Sequence, residues 1–222
     1  MKIQSLILSD LHIGNPWCRQ DLIAKVIDEY EFENLFLVGD FIHGDMKQAP
    51  WDINLITTLI RAYNTAKRII YIPGNHDDFL TLFNNHQIGK LIFTEEYYYD
   101  ALNGKRYLIT HGHQYNYING IKKPRLKFWI GSKLYKFYLK FKSSPLKWIK
   151  NKFFKRPISF SKWARKLGKS RNVDGVIVGH VHEPRIDTSK KVDYINIGGF
   201  VENMAYVIET LDGNFELKYT GQ

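Results

Sequence analysis

The sequence predicts an α/β fold with two β-sheets and a helical insertion, and three observations support this prediction. Short apolar runs alternate with amphipathic helical patterns over the first part of the chain. The last part has strand-like patterns joined by a turn. Between them lies a stretch rich in basic and aromatic residues at helical spacing. We therefore expect a single domain over residues 1–222 with a helical insert, or lid, at about 120–171.

The first part of the chain predicts βαβ units. Three runs, Ile3–Leu8, Leu35–Val38 and Arg68–Ile72, are short, apolar and closed by Ser, Gly or Pro, which is typical of buried strands. The segments between them carry apolar residues at helical spacing, in two stripes: Leu22, Ile23, Val26, Ile27 and Tyr30, then Ile53, Ile56, Leu59, Ile60 and Tyr63. This alternation predicts a parallel sheet with covering helices.

Later runs predict the remaining strands. Arg106–Thr110 and Val173–Val178 have the same apolar character. After His182, three further strand-like segments follow, with a hairpin turn at Asp212-Gly213: Lys191–Ile197, Met204–Leu211 and Asn214–Tyr219. We expect a second sheet built partly from this C-terminal meander.

Metal-ligand residue types follow five of the apolar runs. The residues concerned include six of the eight histidines and are Asp10 and His12, Asp40, Asn75 to Asp77, His111 and His113, and His180 and His182. Ligands collect at the carboxyl ends of strands in open α/β sheets, so these side chains are expected to converge. Two cations need many nitrogen and oxygen ligands gathered from several strand ends. The sequence therefore predicts a dinuclear metal centre.

The spacing of these residues suggests which of them would bind each of the two cations. Asp10 and His12 would face the same side of an extended backbone, and Asp40 could bridge both cations through its two oxygens. The predicted ligands of the first cation are Asp10, His12, Asp40 and His182, and those of the second are Asp40, Asn75, His111 and His180. Water held between the cations is the expected nucleophile, because a bound metal lowers its pKa.

Other polar residues of these segments have expected roles as well. His76 is expected to protonate a leaving group or to stabilise charge on a phosphoryl oxygen. Asp77 could orient the His76 imidazole or cap a helix. His113 could support the ligands, contact substrate or face solvent. His43 and His86 are expected in loops or at the surface, although His43 follows a ligand strand and could line the cleft.

These motifs, in this order, resemble those of the calcineurin-like metallophosphoesterases. The resemblance spans residues 10–182 and is carried by Asp10-Leu-His12, Gly39-Asp40, Gly74-Asn-His-Asp77, a lone His111 and Gly179-His-Val-His182. It implies two stacked mixed sheets flanked by helices, a four-layer α/β/β/α sandwich. It also implies hydrolysis of phosphoesters or phosphoanhydrides with two divalent metal ions, with Mn²⁺ expected and Fe or Zn²⁺ as alternatives.

A narrower resemblance is to the UDP-2,3-diacylglucosamine pyrophosphohydrolase group of lipid A biosynthesis. Its motifs here are Ser9–Gly14, Gly39–His43, Pro73–Leu80, His111–Tyr115 and Gly179–Pro184. Members of that group cleave a UDP-linked diacyl sugar at the membrane surface, which implies a lipid-linked nucleotide as substrate. The best-known branch has Arg in place of His76 and Asp in place of His113.

Charge is unevenly distributed along the chain. The net charge is +10, yet the segment from Ala101 to Val173 has no Asp or Glu and holds 20 of the 32 Lys and Arg residues.

Within this segment, residues 120–171 combine 18 basic and 11 aromatic residues. The spacing of Phe160, Trp163, Ala164 and Leu167 predicts a helix there. Such a mixture suits an anionic membrane or lipid substrate, single-stranded nucleic acid, or a plain structural cap. Basic residues expected to bind phosphate or membrane are Lys122, Lys123 and Arg125.

The sequence predicts where the protein is located and is compatible with three functions. A single cysteine, Cys18, the lack of a signal-peptide pattern and the lack of a long apolar span predict a cytoplasmic protein that associates peripherally with the inner face of the membrane. The first functional hypothesis is pyrophosphate hydrolysis in a lipid-linked nucleotide sugar. The second is the same chemistry on nucleic acid or soluble phosphoesters. The third is a metal-stabilised binding scaffold without catalysis.

Overall fold

A computed structural model describes residues 1–43, 50–115 and 157–220. The expected phosphate or membrane contacts Lys122, Lys123 and Arg125 lie outside the described residues. The helices are α1 (Gln20–Glu29), α2 (Ile53–Thr65) and α3 (Pro157–Ser170), with a 3₁₀ helix at Asp78–Phe83. The strands are β1 (Lys2–Leu8), β2 (Glu31–Val38), β3 (Arg68–Ile72), β4 (Gln87–Ile88), β5 (Leu91–Phe93), β6 (Tyr97–Asp100), β7 (Arg106–Ile109), β8 (Gly175–Val178), β9 (Arg185–Asp187), β10 (Asp193–Asn196), β11 (Ala205–Glu209) and β12 (Phe215–Tyr219).

The first sheet has the strand order β12-β11-β1-β2-β3-β5-β4. Strands β1, β2, β3 and β5 are parallel, and β11 joins β1 antiparallel, so the sheet is mixed. The register pairs Leu8 with Leu37 and Val38 with Ile72. Strands β1, β2 and β3 therefore end at nearly the same level, which brings the segments after them to one edge of the sheet.

The second sheet has the order β6-β7-β8-β10-β9. Strands β7, β8 and β10 are parallel, and β6 and β9 are antiparallel at its two edges. Ile109 pairs with Ile177, so β7 and β8 also end together. Both sheets are mixed, as the family resemblance implies, whereas the βαβ pattern alone predicted a parallel first sheet.

Three apolar cores show how the layers are stacked. One lies between the sheets and includes Ile7, Phe36 and Ile70 from the first sheet with Ile109 and Ile177 from the second. Another covers the opposite face of the first sheet beneath α1 and α2. The third joins the outer face of the second sheet to α3. The order helix, sheet, sheet, helix confirms the predicted sandwich.

The C-terminal hairpin belongs to the first sheet, which differs from the prediction. Strand β10 joins the second sheet, but β11 pairs with β1 through Leu6–Ile208 and Ile7–Val207. All five residues of β11 are buried, with Ile208 facing the helix side and Val207 the space between the sheets. An apolar strand of this kind fits inside either sheet, so its pattern does not select one.

The buried face of α2 also differs from the predicted stripe. Ile53 and Ile60 are 69% and 59% exposed, whereas Leu55, Thr58 and Ala62 are buried. The reason is the packing of α2 on α1, where the Thr58 hydroxyl donates to Asp28 at 3.0 Å. Both faces of α2 carry apolar residues, so the helix was correctly predicted but its orientation was not.

The other two helices follow their predicted patterns. Ile23, Val26 and Ile27 of α1 are buried, and so are Phe160 and Ala164 of α3. None of the helices in the described part of the chain has the length and apolar content needed to cross a bilayer.

Candidate metal centre

The segments that follow β1, β2, β3, β7 and β8 meet at one edge of the sandwich. Backbone hydrogen bonds hold them together, because Asp10 N donates to Gly39 O at 3.0 Å and Gly179 N donates to His111 O at 3.1 Å. The convergence follows from parallel strands that end at the same level in each sheet.

Five of the predicted ligands have left-handed backbone conformations. Their φ angles lie between 50° and 67°, and the residues are Asp10, His12, Asp40, His180 and His182. Non-glycine residues seldom adopt this region, and its clustering is typical of functional sites. The expectation that Asp10 and His12 share a side of an extended backbone was therefore wrong. Their side chains converge because the chain turns sharply after β1.

One group of close ligand atoms combines Asp10, His12 and His182. His182 Nε2 lies 2.8 Å from Asp10 Oδ1, and His12 Nε2 lies 4.0 Å from the same oxygen. His12 Nε2 is also 3.9 Å from Asp40 Oδ2. The four residues predicted for the first cation are thus brought together.

A second group combines Asp10, Asp40 and His111. His111 is fully buried, its Nε2 lies 3.6 Å from Asp40 Oδ2, and its Nδ1 contacts the Val38 carbonyl at 3.1 Å. Among the described residues, His111 Nε2 has no hydrogen-bond partner although it is buried. A buried imidazole nitrogen without a partner, aimed at a carboxylate, fits a cation-binding position.

The other two ligands predicted for the second cation differ in burial, because His180 is partly buried and Asn75 is exposed. The His180 ring centroid lies 5.2 Å from that of His111, and the His180 backbone N–H donates to Asp10 Oδ2 at 3.0 Å. Asn75 is solvent-exposed beside His76. The geometry thus places His180 next to the buried group, while the ligand role of Asn75 stays a prediction.

Electrostatics leaves the cation-free cluster with mixed protonation states. Burial opposes the charge of Asp40, but the neighbouring His111 and His12 hold the pKa of Asp40 well below its usual range. Burial lowers the pKa of His12 to about 3 and that of His180 to about 3. Burial also opposes the charge of His111 and His182, but the neighbouring carboxylates outweigh it, raising the pKa of His111 to about 9 and the pKa of His182 well above its usual value. Metal binding requires ionised carboxylates and neutral imidazoles, so His111 and His182 must release a proton when cations bind.

His76 lies at the edge of this cluster. Its Nε2 is 4.0 Å from Asp40 Oδ2, its side chain is 24% exposed, and its backbone N–H donates to Asp40 Oδ1 at 2.8 Å. The partial exposure leaves the ring accessible to a substrate beside the buried carboxylates. This position is compatible with the predicted role in catalysis.

His43 is part of the same site, in agreement with the prediction of a loop residue that could line the cleft. Its Nδ1 lies 3.5 Å from His12 Nδ1, and its ring packs against that of His76. Ligand atoms of His12, His43 and His76 form a third close group. The sequence feature that indicates His43 as a site residue is its position, since it follows Asp40 by three residues in the segment after β2.

Asp77 connects the segments after β2 and β3. It is fully buried, and its carboxylate accepts hydrogen bonds from Phe41 N at 2.8 Å, Tyr71 Oη at 2.6 Å and Gly74 N. Its side chain does not cap the 3₁₀ helix that follows. Among the described residues, the hydrogen bonds of Asp77 connect the two segments and include no contact with the His76 imidazole, so its role in catalysis stays a prediction.

His113 lies beside the cluster and is only partly exposed. Its ring centroid is 5.5 Å from that of His111. Burial, together with the neighbouring His111, lowers the pKa of His113 to about 4. The side chain is thus partly buried next to a predicted ligand, and its role in substrate binding stays a prediction.

Glu202 is a member of the site that no sequence motif indicated. Its Oε2 lies 2.9 Å from His182 Nδ1. The residue is 20 positions beyond His182, in the segment between β10 and β11, so only the fold brings the two together.

Comparisons with known proteins identify relatives of this chain. The model of the calcineurin-like phosphoesterase family matches residues 3–184. No match was found among the curated proteins.

Solved structures of similar fold come from several organisms. A hypothetical protein of Pyrococcus horikoshii has 12% identity and a TM-score of 0.55, and the match covers 99% of this chain and 88% of that one. Vacuolar Protein Sorting 29 of Cryptosporidium parvum has 13% identity, 96% and 94% coverage and a TM-score of 0.51. A Thermotoga maritima protein has 17% identity, 97% and 98% coverage and a TM-score of 0.50. At such low sequence identities, these matches show that the proteins have a similar fold and nothing more.

Proposed function

Because the chain belongs to the calcineurin-like phosphoesterase family, we propose that it cleaves the pyrophosphate of a lipid-linked nucleotide, with UDP-2,3-diacylglucosamine as the best candidate substrate. Family membership makes the chain a metal-dependent phosphoester hydrolase. The His and Asp cluster agrees with a dinuclear divalent metal site. The substrate and the individual residue roles below are the proposal.

The position of Asp40 carries the proposal of two cations. Its Oδ2 lies 3.9 Å from Nε2 of His12, a predicted ligand of the first cation, and 3.6 Å from Nε2 of His111, a predicted ligand of the second. One carboxylate can thus serve two cations at once. We assign the first to Asp10, His12, Asp40 and His182, and the second to Asp40, Asn75, His111 and His180.

We propose Mn²⁺ as the metal, with Fe or Zn²⁺ as alternatives that the same ligand types suit equally. When bound, two such cations would activate water and neutralise charge on the phosphoryl oxygens. His76 would protonate the leaving oxygen, since its half-buried ring lies at the edge of the cluster. The His76 backbone N–H donates to Asp40 Oδ1 at 2.8 Å, which holds the segment carrying this imidazole against the bridging carboxylate.

Charge distribution supports an anionic, lipid-linked substrate. The segment from Ala101 to Val173 lacks acidic residues and has 20 basic ones. Aromatic residues interleaved with basic ones suit the headgroup region of an anionic bilayer. We propose that Lys122, Lys123 and Arg125 bind the distal phosphate or the membrane, and that the enzyme associates peripherally with the inner face of the membrane.

An activity panel with Mn²⁺ tests the substrate. The three substrates are UDP-2,3-diacylglucosamine in detergent micelles, bis-p-nitrophenyl phosphate and single-stranded DNA, each compared by kcat/KM. The proposal predicts the highest kcat/KM for the lipid-linked nucleotide and release of UMP. Higher kcat/KM for DNA, or no release of UMP, would reject it.

A second candidate function is hydrolysis of nucleic acid, which the same basic and aromatic segment favours through phosphate pairing and base stacking. Flotation with anionic vesicles and binding of single-stranded DNA distinguish the two. The triple variant Lys122→Glu, Lys123→Glu, Arg125→Glu should lose vesicle binding. A control with the same charge change, Lys190→Glu, Lys191→Glu, Lys218→Glu, should keep it. Tight DNA binding without flotation would favour the second candidate.

A further inference from the structure

We propose that Glu202 is a positioning residue for His182 and that it makes the cation position served by His182 the tighter of the two. This inference rests on the proposed dinuclear function. It concerns a residue that lies outside the family match over residues 3–184 and outside every motif of the sequence.

The two ring nitrogens of His182 have different carboxylate partners. Nδ1 lies 2.9 Å from Glu202 Oε2, and Nε2 lies 2.8 Å from Asp10 Oδ1. A carboxylate that accepts the Nδ1–H fixes the tautomer whose lone pair is on Nε2, which is the nitrogen directed at the metal cluster. The side chain of Glu202 is only 13% exposed, so water competes weakly for this contact.

The segment that carries Glu202 is fixed to the site by its backbone. Phe200 N donates to the carbonyl of Asp10 at 3.2 Å, and Asn203 Nδ2 donates to the carbonyl of His182 at 2.8 Å. Gly199 passes so close to the imidazole that a Cβ there would lie 3.0 Å from His182 Cγ. Glu202 is therefore held relative to two ligands of the same predicted cation.

Two other histidine ligands, His111 and His12, have partners other than a carboxylate at the corresponding nitrogen. His111 Nδ1 contacts the Val38 carbonyl at 3.1 Å, and His12 Nδ1 contacts His43 Nδ1 at 3.5 Å. His182, a predicted ligand of the first cation, thus has the anionic partner Glu202. His111, a predicted ligand of the second cation, has a neutral backbone carbonyl as its partner. Anionic hydrogen-bond acceptors make a ligating imidazole a stronger donor, so the two positions should differ in affinity.

Stepwise Mn²⁺ binding to the chelator-treated protein, measured by isothermal titration calorimetry, tests this inference. The wild type should bind two ions in two steps of different affinity. Glu202→Gln should weaken the tighter step about 10–100-fold, the usual effect of removing such a partner, and leave the weaker step unchanged. Glu202→Asp should restore part of the loss. Glu216→Gln, on the partly exposed strand β12, is the matched control and should bind as the wild type does.

The outcomes separate the two proposals. Wild-type binding of one ion or none would reject the dinuclear function itself. Two wild-type steps that Glu202→Gln leaves unchanged, or weakens equally, would reject the role of Glu202 alone. Nitrogen chemical shifts of wild-type protein loaded with Zn²⁺ give a test that needs no variant. His182 should be protonated at Nδ1 and ligated through Nε2, and the opposite tautomer would overturn the inference.

Discussion

The imidazoles of His43 and His76 lie nearly parallel, with ring centroids 5.0 Å apart and an angle of 19° between their planes. His12 packs edge-on against His76 at 4.9 Å. The predicted catalytic histidine therefore packs against two other rings, one of which belongs to a predicted metal ligand.

Replacing His76 should reduce catalysis without removing the cations. We expect His76→Ala to lower kcat by about 10²–10⁴, the usual contribution of a general acid. Mn²⁺ stoichiometry, measured by metal analysis, should be unchanged because His76 is outside the assigned ligand sets. His86→Ala, at an exposed position, is the control. Full activity in His76→Ala would exclude the proposed role.

His43 should affect catalysis less strongly than His76. His43→Ala removes the ring that packs on His76, and a small displacement of a catalytic group lowers the rate, so we expect a loss of about tenfold in kcat. His43→Phe keeps a ring but loses the contact with His12, and it should retain more activity than His43→Ala. Equal activity of both variants and the wild type would show that the stacking has no consequence.

Asp77 should contribute to stability through its buried carboxylate. Asp77→Asn retains the volume but loses the charge that accepts the hydrogen bonds of Phe41 N and Tyr71 Oη. We expect the free energy of unfolding to fall by about 2–4 kcal/mol, measured by urea denaturation, since hydrogen bonds to charged groups are the stronger ones. Asp78→Asn, the exposed neighbour, is the control and should lie within about 0.5 kcal/mol of wild type.

Gly39 provides the space that His111 occupies. A Cβ at Gly39 would lie 2.1 Å from His111 Nδ1, and the residue has φ = +74°. Gly39→Ala should displace this ligand and abolish one Mn²⁺ step. Gly104→Ala has almost the same φ of +78° with nothing within 4 Å of its Cβ, so it reproduces the backbone strain without the clash. Similar Mn²⁺ binding by both variants would contradict the steric explanation.

Acidification should destabilise the cation-free protein. The pKa of His113 in the fold is lowered to about 4, below the usual 6.5. Between these values the unfolded chain binds a proton that the folded chain does not, so stability falls as pH decreases from 6.5 towards 4. His113→Asn should reduce this slope by up to about 1.4 kcal/mol per pH unit. Urea denaturation in chelator at pH 7 and pH 5 measures it, with exposed His86→Asn as control. An identical slope in both variants would argue against the shift.

Much of the fold was predictable from local pattern together with the family resemblance. Short apolar runs located β1, β2, β3, β7 and β8, and the resemblance implied the α/β/β/α layering. The orientation of α2 was not predictable, since Ile53 and Leu55 are equally apolar and only the contact with α1 selects which of them is buried. The hairpin containing Val207 and Ile208 fits inside either sheet by pattern alone.

The sequence by itself determined the chemistry of the site, because residue types and their order after the strands indicate a phosphoesterase metal cluster. The tertiary structure decided which additional residues join it. Glu202 belongs to no motif and His43 was given no ligand or catalytic role, and they enter the site because the turns after β2 and β10 bring them within 3.5 Å of His12 and 2.9 Å of His182. Left-handed backbone at Asp10, His12 and Asp40 turns the ligands toward one another. Such proximity depends on chain direction and packing between distant segments, which residue spacing along a sequence does not specify.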